Sequence, residues 1–331
     1  ELSQIMTELE AMYGTGQHCF TDNDCYDLEA FEAIIDNSRD PQELLKAWNG
    51  WREIGKPMKD KYLRMVEIGN EGSNDLGFNG LSDLWFSKYD MSNENFSALV
   101  DQVYEDMRPL YEGLQCHVRA ELNDYYGDEI VPLDQPIPAH LLGNMWAQSW
   151  SNISDIVYDF DESSSIDLTQ IILDRNLSET EMVEIAEAFF LSLGFDPLPD
   201  TFWERSLFTK PKDRDVVCHA SAWDIDSQEQ DLRIKMCIEK NEEDFITIHH
   251  ELGHIFYYQA YADLPEIFQS GANDGFHEAV GDLLSLSITP SYLKDIGFIS
   301  EQEAEKSKEN AIGLLMKQAL EGVVAVPWTL M

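Results

Sequence analysis

The sequence predicts a mainly α protein with one short antiparallel β-hairpin. Two observations carry that expectation. Apolar residues recur at three- and four-residue spacing through most of the chain, with cap residues at the ends of these stretches, and strict alternation is confined to the region 216–238. With 331 residues and 44% hydrophobic content, the chain can bury a large core as one big domain or two lobes. Its 8 Trp, 13 Tyr and 16 Phe exclude wholesale disorder.

The elements follow in order. Asp40-Pro41-Gln42-Glu43 supplies an N-cap, a first-turn proline and a capping-box acid. Leu44, Leu45, Trp48, Trp51 and Ile54 then share one helix face, until Gly55-Lys56-Pro57 breaks the pattern. A longer helix is expected from Ser92, with Phe96, Leu99, Val103, Met107, Leu110, Leu114 and Val118 as its core face. Asp159 to Ser165 is a polar, loop-like run, and a further helix covers Ser178 to Leu193, stopping at Gly194. Val216 to Trp223 is rich in small and β-branched residues, and Asp231 to Ile238 alternates, with Leu232, Ile234, Met236 and Ile238 on one face. A hairpin centred near residues 227 and 228 would set Cys218 opposite Cys237.

Charge and cysteines bound the setting. Lys and Arg number 22 against 63 Asp and Glu, a net charge of -41. That excludes a general nucleic-acid binder, which needs clustered basic residues, and argues against docking on anionic membranes. The plain reading of the acidity is solubility; a functional one is a preference for cationic peptides. Among five cysteines, Cys19 and Cys25 can close a small loop and Cys218 and Cys237 flank the hairpin, which points to an oxidising, extracellular setting, secreted or membrane-anchored. Cys116 is left over. Sequons at Asn95, Asn152 and Asn176 agree with that setting. The chain begins at Glu1 and ends on Pro327-Trp328-Thr329-Leu330-Met331 without a stop signal; both ends read as cuts, so residues 1–331 are expected to be part of a single domain truncated at both ends.

The chemistry-bearing motif is His250-Glu251-Leu252-Gly253-His254, on a helix capped by Asn241 with Glu242, Glu243 and Asp244 at the positive end of its dipole. Histidines at i and i+4 project from one face and can share a metal, while Glu251 can reach a water held there. Two imidazoles with an oxygen ligand suit zinc. The third ligand expected is Glu278, and Asp282, one turn on, can accept the other ring N–H of a ligating histidine. His249 and His277 point elsewhere and read as structural. A chance His-Glu-x-x-His on an ordinary helix is expected on the order of a few per cent of the time, and the downstream Glu-x-x-x-Asp lowers that. With zinc polarising the scissile carbonyl, Glu251 is expected to take the proton of the attacking water and pass it to the leaving amine.

These residues, with Gly271-Ala272-Asn273-Asp274-Gly275-Phe276 before His277, resemble the angiotensin-converting enzyme family of zinc peptidyl-dipeptidases. Cys218-His219-Ala220-Ser221-Ala222-Trp223-Asp224 and Pro136-Ile137-Pro138-Ala139-His140-Leu141-Leu142-Gly143-Asn144-Met145-Trp146-Ala147-Gln148 look like two more of its signatures, and similarity runs from about Cys19 to the end. Leu252 stands where the family usually has Met, and Asp274 where it has Pro. The resemblance implies a helical, two-lobed zinc peptidase with a deep cleft, the hairpin near the active site, and release of C-terminal dipeptides from oligopeptides, with zinc as cofactor and chloride as activator. By matching motif, His219 and Ala220 would contact substrate, Gln148 would hold its terminal carboxylate, and Arg52 and Tyr89 would bind chloride. The family's domains are longer, and the groups that stabilise its tetrahedral intermediate are expected beyond this chain. Two other readings compete: a zinc carboxypeptidase removing single residues, and a zinc-stabilised ectodomain that binds peptides without cleaving them.

Overall fold

The computed structural model describes residues 1–158, 166–309 and 311–330. The polar run expected at Asp159 to Ser165 falls outside the described residues. In chain order, α1 (Leu2–Gly14) leads to a hairpin of β1 (His18–Thr21) and β2 (Asp24–Tyr26). Then come α2 (Leu28–Asn37), α3 (Pro41–Gly55), α4 (Lys59–Asp75), α5 (Leu81–Phe86), α6 (Asn93–Tyr126) and α7 (Ser154–Val157). Next are α8 (Leu168–Asp174), α9 (Glu179–Ser192) and α10 (Asp200–Arg205), followed by a hairpin of β3 (Ser221–Asp226) and β4 (Asp231–Lys235). The chain continues with α11 (Glu242–Ala262), α12 (Asp274–Ser285), α13 (Pro290–Asp295), α14 (Glu301–Glu309), α15 (Ala311–Gln318) and α16 (Val324–Thr329). The mainly α expectation holds, with one addition. The loop closed by Cys19 and Cys25 is itself a small antiparallel hairpin, in which the two cysteines stand opposite each other. Its strands are too short for alternation to announce them.

Two compact units divide the chain: residues 1–163 with 310–331, and residues 164–309. In the first, Phe31, Ile35, Leu44, Trp51, Val118, Leu122, Leu141 and Met145 form the core. Asp40 caps α3 by accepting from the N–H groups of Gln42 and Glu43. The expected capping-box acid does something else: the Ser38 hydroxyl donates to the Glu43 carboxylate at 2.6 Å. Ser92 caps α6, which runs through Pro109 unbroken. Its stripe departs from the expected core face. Leu114, Val118 and Leu122 are buried, but Leu99, Val103 and Leu110 are exposed. α7, the π-helical stretch Ala319–Val323 and α16 pack on its second half, where Tyr111 meets Trp150 and His117 meets the Val157 carbonyl, and its start is held by Phe96 against Phe86 and Tyr89.

In the second unit α9 opens on a full capping box between Ser178 and Glu181, and Gly194, at φ 97°, ends it in the left-handed conformation that a side chain resists. β3 and β4 pair around a shift between Asp224 and Asp226, and Cys218 and Cys237 are bonded just beyond the paired residues. Leu232, Ile234, Met236 and Ile238 all turn into the core, as their alternation requires. Leu207 hydrogen-bonds the far edge of β4, so β3 is the edge without a strand partner among the described residues, its Ala222 carbonyl accepting from the Tyr258 hydroxyl at 3.5 Å. α11 lies in the middle of the unit. Phe245, Ile248, Leu252, Ile255 and Phe256 are buried on it, and Phe190 of α9 stacks on Phe256 with ring centroids 4.3 Å apart. Each such side chain contributes about 1.5–3 kcal/mol by leaving water, and together they set the rotation of α11 about its axis.

Candidate metal centre

The rotation that buries the apolar side of α11 turns His250 and His254 to the opposite side. Asn241 begins the helix, its side chain accepting from the Asp244 N–H at 2.7 Å. α12 packs against α11 and brings Glu278 to the histidines. The Glu278 carboxylate stands 3.3 Å from His250 Nε2 and 3.8 Å from His254 Nε2, and the two Nε2 atoms face each other at 3.1 Å. One ligand atom from each of His250, His254 and Glu278 lies within 4.8 Å of the others. Asp282, one turn beyond Glu278, meets His250 Nδ1 at 3.0 Å.

The donor set fits a small divalent cation. Two nitrogens on a tetrahedral zinc at about 2.0–2.1 Å stand roughly 3.3 Å apart, close to the 3.1 Å found here. The electrostatics agree. Burial alone would strip charge from His250, yet Asp282 and Glu278, helped by Glu251, raise its pKa to about 10. The cluster thus favours positive charge at its centre. Glu278 and Asp282 remain largely open to solvent, with side chains 67% and 71% exposed, so one side of the centre is accessible.

Glu251 is the buried carboxylate of the group, 6% exposed. No group among the described residues donates to its Oε2. Burial raises its pKa to about 7, against the pull of His250 and with the push of Glu278. A carboxylate with an unoccupied lone pair and a pKa near neutrality is suited to take a proton.

The neighbouring histidines are held by protein groups. His249 is fully buried; its Nδ1 sits 2.8 Å from the Phe245 carbonyl, which can only accept, so Nδ1 carries the proton and Nε2 accepts from the Tyr292 hydroxyl at 3.2 Å. Burial pushes its pKa down to about 4. His277 lies in a ring of tyrosines: Tyr257 and Tyr258 pack on it and the Tyr261 hydroxyl meets its Nε2 at 3.2 Å. Sequence reasoning passed over these tyrosines. Their spacing on α11, at i, i+1 and i+4, was the available signal, but nothing in it marks His277 as what they enclose.

The remaining predicted residues fall in several places. His219 is exposed, with its ring folded back on the Ala220 carbonyl, and Ala220 packs on the core; both directly precede β3. Gln148 belongs to the first unit, where with Ser149, Glu321, Ala325, Trp328 and Thr329 it lines a cavity of about 340 Å³. Arg52 stacks on Trp48 at 3.3 Å and donates to the Trp48 and Met145 carbonyls, both at 2.9 Å. Tyr89 packs among Phe86 and Phe96, and no contact joins it to Arg52 among the described residues. Asn95 and Asn176 are exposed, whereas the half-buried Asn152 donates its side-chain amide to the Gly143 carbonyl at 2.9 Å. Cys116 is a free, exposed thiol. No helix among the described residues is long and apolar enough to cross a membrane.

Fold and site together define a mainly helical protein in which two histidines and one glutamate are grouped so that they could hold a metal ion. The family model described as angiotensin-converting enzyme, peptidase M2, matches residues 1–331, and the chain belongs to that family. It is 40% identical over 333 residues to angiotensin-converting enzyme of Sus scrofa, covering 99% of this chain and 25% of that protein. The same name is carried by a Theromyzon tessulatum protein, 39% identical over 335 residues and covered to 54%, and by one of Haematobia irritans exigua, 37% identical and likewise covered to 54%. The chain therefore spans about a quarter of the first relative and about half of the other two.

Proposed function

We propose that this chain supplies the zinc centre of a peptidyl-dipeptidase, an enzyme that releases C-terminal dipeptides from oligopeptides in an extracellular setting. The observation that carries the reading is the convergence of His250, His254 and Glu278 beside the buried Glu251, whose Oε2 has no donor among the described residues. His250, His254 and Glu278 would hold the zinc, which when bound polarises a carbonyl and makes water more acidic. Asp282 accepts the Nδ1 proton of His250 and so keeps Nε2 as the lone-pair atom. Glu251 takes the proton of the attacking water and returns it to the leaving amine, a role that its buried carboxylate beside the ligands can fill. An extended peptide would pair with the strand edge that His219 and Ala220 introduce. Gln148, in the first unit, would bind a substrate carboxylate. Arg52 and Tyr89 would serve chloride activation, and Asn95, Asn152 and Asn176 would carry glycans. On this reading residues 1–331 are part of a single peptidase catalytic domain.

Two measurements test the proposal. Metal analysis of the purified 331-residue chain should find about one zinc per chain. Digestion of a decapeptide by the protein of which this chain is part, followed by mass spectrometry, should show losses of two residues from the C-terminus. Losses of one residue at a time would replace it with a carboxypeptidase, and zinc without turnover would leave a peptide-binding ectodomain.

A further inference from the structure

The helices that carry the candidate ligands meet through glycine. A Cβ added at Gly253 in α11 would lie 2.8 Å from Cα and 3.2 Å from N of Gly281 in α12. A Cβ added at Gly281 would lie 2.8 Å from Cε1 and Nδ1 of His250 and 3.0 Å from its Cγ. Non-bonded carbons rest at about 3.5–4.0 Å, so neither position admits a side chain as the helices stand. The two obstacles differ in kind. At Gly253 it is the backbone of the facing helix, which cannot turn aside. At Gly281 it is the imidazole of His250, which can turn only by leaving Asp282.

Glycine inside a helix costs about 1 kcal/mol relative to alanine. At Gly72 in α4 and Gly113 in α6 an added Cβ would meet nothing within 4 Å. At Gly253 and Gly281, by contrast, the missing side chain has a geometric use: it lets the carboxylates of α12 reach the histidines of α11.

We infer that Gly281, with Gly253 facing it, is a positioning residue of the metal centre. The bare backbone of α12 at Gly281 is the surface on which the His250 ring lies. That contact fixes the ring plane in which Nδ1 meets Asp282 while Nε2 faces Glu278 and His254. The inference rests on the reading of His250, His254 and Glu278 as metal ligands.

The test uses the 331-residue chain, with zinc affinity read by competition with a chelator and ring geometry read from the visible absorption of the cobalt(II)-loaded protein. Gly281→Ala and Gly253→Ala are each expected to weaken zinc binding by about 10- to 100-fold, the range found when groups orienting metal ligands are changed. Gly281→Ala should also shift the cobalt bands. Gly113→Ala should change neither. Gly50→Ala, whose Cβ would meet Phe31 Cζ at 2.7 Å, should lower the melting temperature while leaving affinity and spectrum as they are. Asp282→Asn loosens the same ring without adding bulk and should reproduce the spectral shift, which keeps the inference open to refutation if Gly281→Ala does not fold. Unchanged affinity and bands in Gly281→Ala, or unchanged bands in Asp282→Asn, would overturn it. So would losses that merely follow melting temperature as those of Gly50→Ala do. An unsubstituted chain that binds no zinc would instead remove the metal-site reading beneath it.

Discussion

α11 and α6 are both long helices that begin on a side-chain cap and carry apolar residues at helical spacing, yet they are buried very differently. α11 is covered by α9, α12 and both strands of the second hairpin, and leaves mainly the His250 and His254 side for chemistry. α6 is held at its start, where Phe96 packs on Phe86 and Tyr89, and along its second half, whereas Leu99 and Leu110 between them face solvent with 48% and 56% of their surface exposed. Spacing defines a face on a helix; burial of that face requires elements opposite it. For α11 the surrounding elements also determine which residues remain available to do chemistry.

The comparison can be broken or sharpened by substitution, starting with the largest effect. Beside the histidines of α11, Glu251→Gln should retain zinc and lower peptide turnover by about 10²- to 10⁴-fold, the contribution of a positioned base; turnover at the original rate would exclude Glu251 from proton transfer. On the covered side, Phe190→Ala removes the ring stacked on Phe256 and should cost about 3–5 kcal/mol in denaturant unfolding. Along α6, Leu122→Ala should cost about 2–5 kcal/mol, whereas Leu99→Ala should fall within about 0.5 kcal/mol of zero. Equal costs at the two leucines would show that the first half of α6 is covered after all.

A further effect is electrostatic. Asp231 opens β4 with hydrogen bonds from Arg233 at 2.7 Å and Arg205 at 2.5 Å. The Arg233 bonds, outweighing burial and aided by Arg205, hold its pKa down to about 2. An unfolded aspartate titrates near about 3.9. The folded state therefore binds the proton more weakly, so the stabilisation is fully present above about pH 4 and is lost as pH falls through about 2. Asp231→Asn should flatten that part of the acid-unfolding curve; an unchanged curve would mean that the ion pairs contribute nothing.

Local features were the most legible in the sequence. Asp40, Ser92, Ser178 and Asn241 all cap helices, because capping is decided within a few residues. The alternation from Asp231 to Ile238 was readable for the same reason, as was the shared helix face of His250 and His254. Glu278 and Asp282 could be named from their spacing, but the distance at which α12 delivers them could not. That distance depends on the contact of Gly253 with Gly281, and a glycine in a motif does not announce what it touches. Leu99, Val103 and Leu110 were misread because a stripe carries no information about its partner. The enclosure of His277 by Tyr257, Tyr258 and Tyr261 stayed hidden for a related reason: it depends on how α12 docks.

The three groups that could hold a metal come from consecutive helices, α11 and α12, joined by the connection 263–273, which contains the single helical turn Glu266–Phe268. Bringing chain segments together costs entropy that grows by about 0.6 kcal/mol for each doubling of the loop, so this assembly is among the least demanding of long-range order. The ligands can find one another before distant parts of the polypeptide have been placed. A cation captured at that stage would favour the conformers in which α11 and α12 are already docked. The same ion that the folded protein would use for chemistry could then act earlier, as a template on which this helical pair folds.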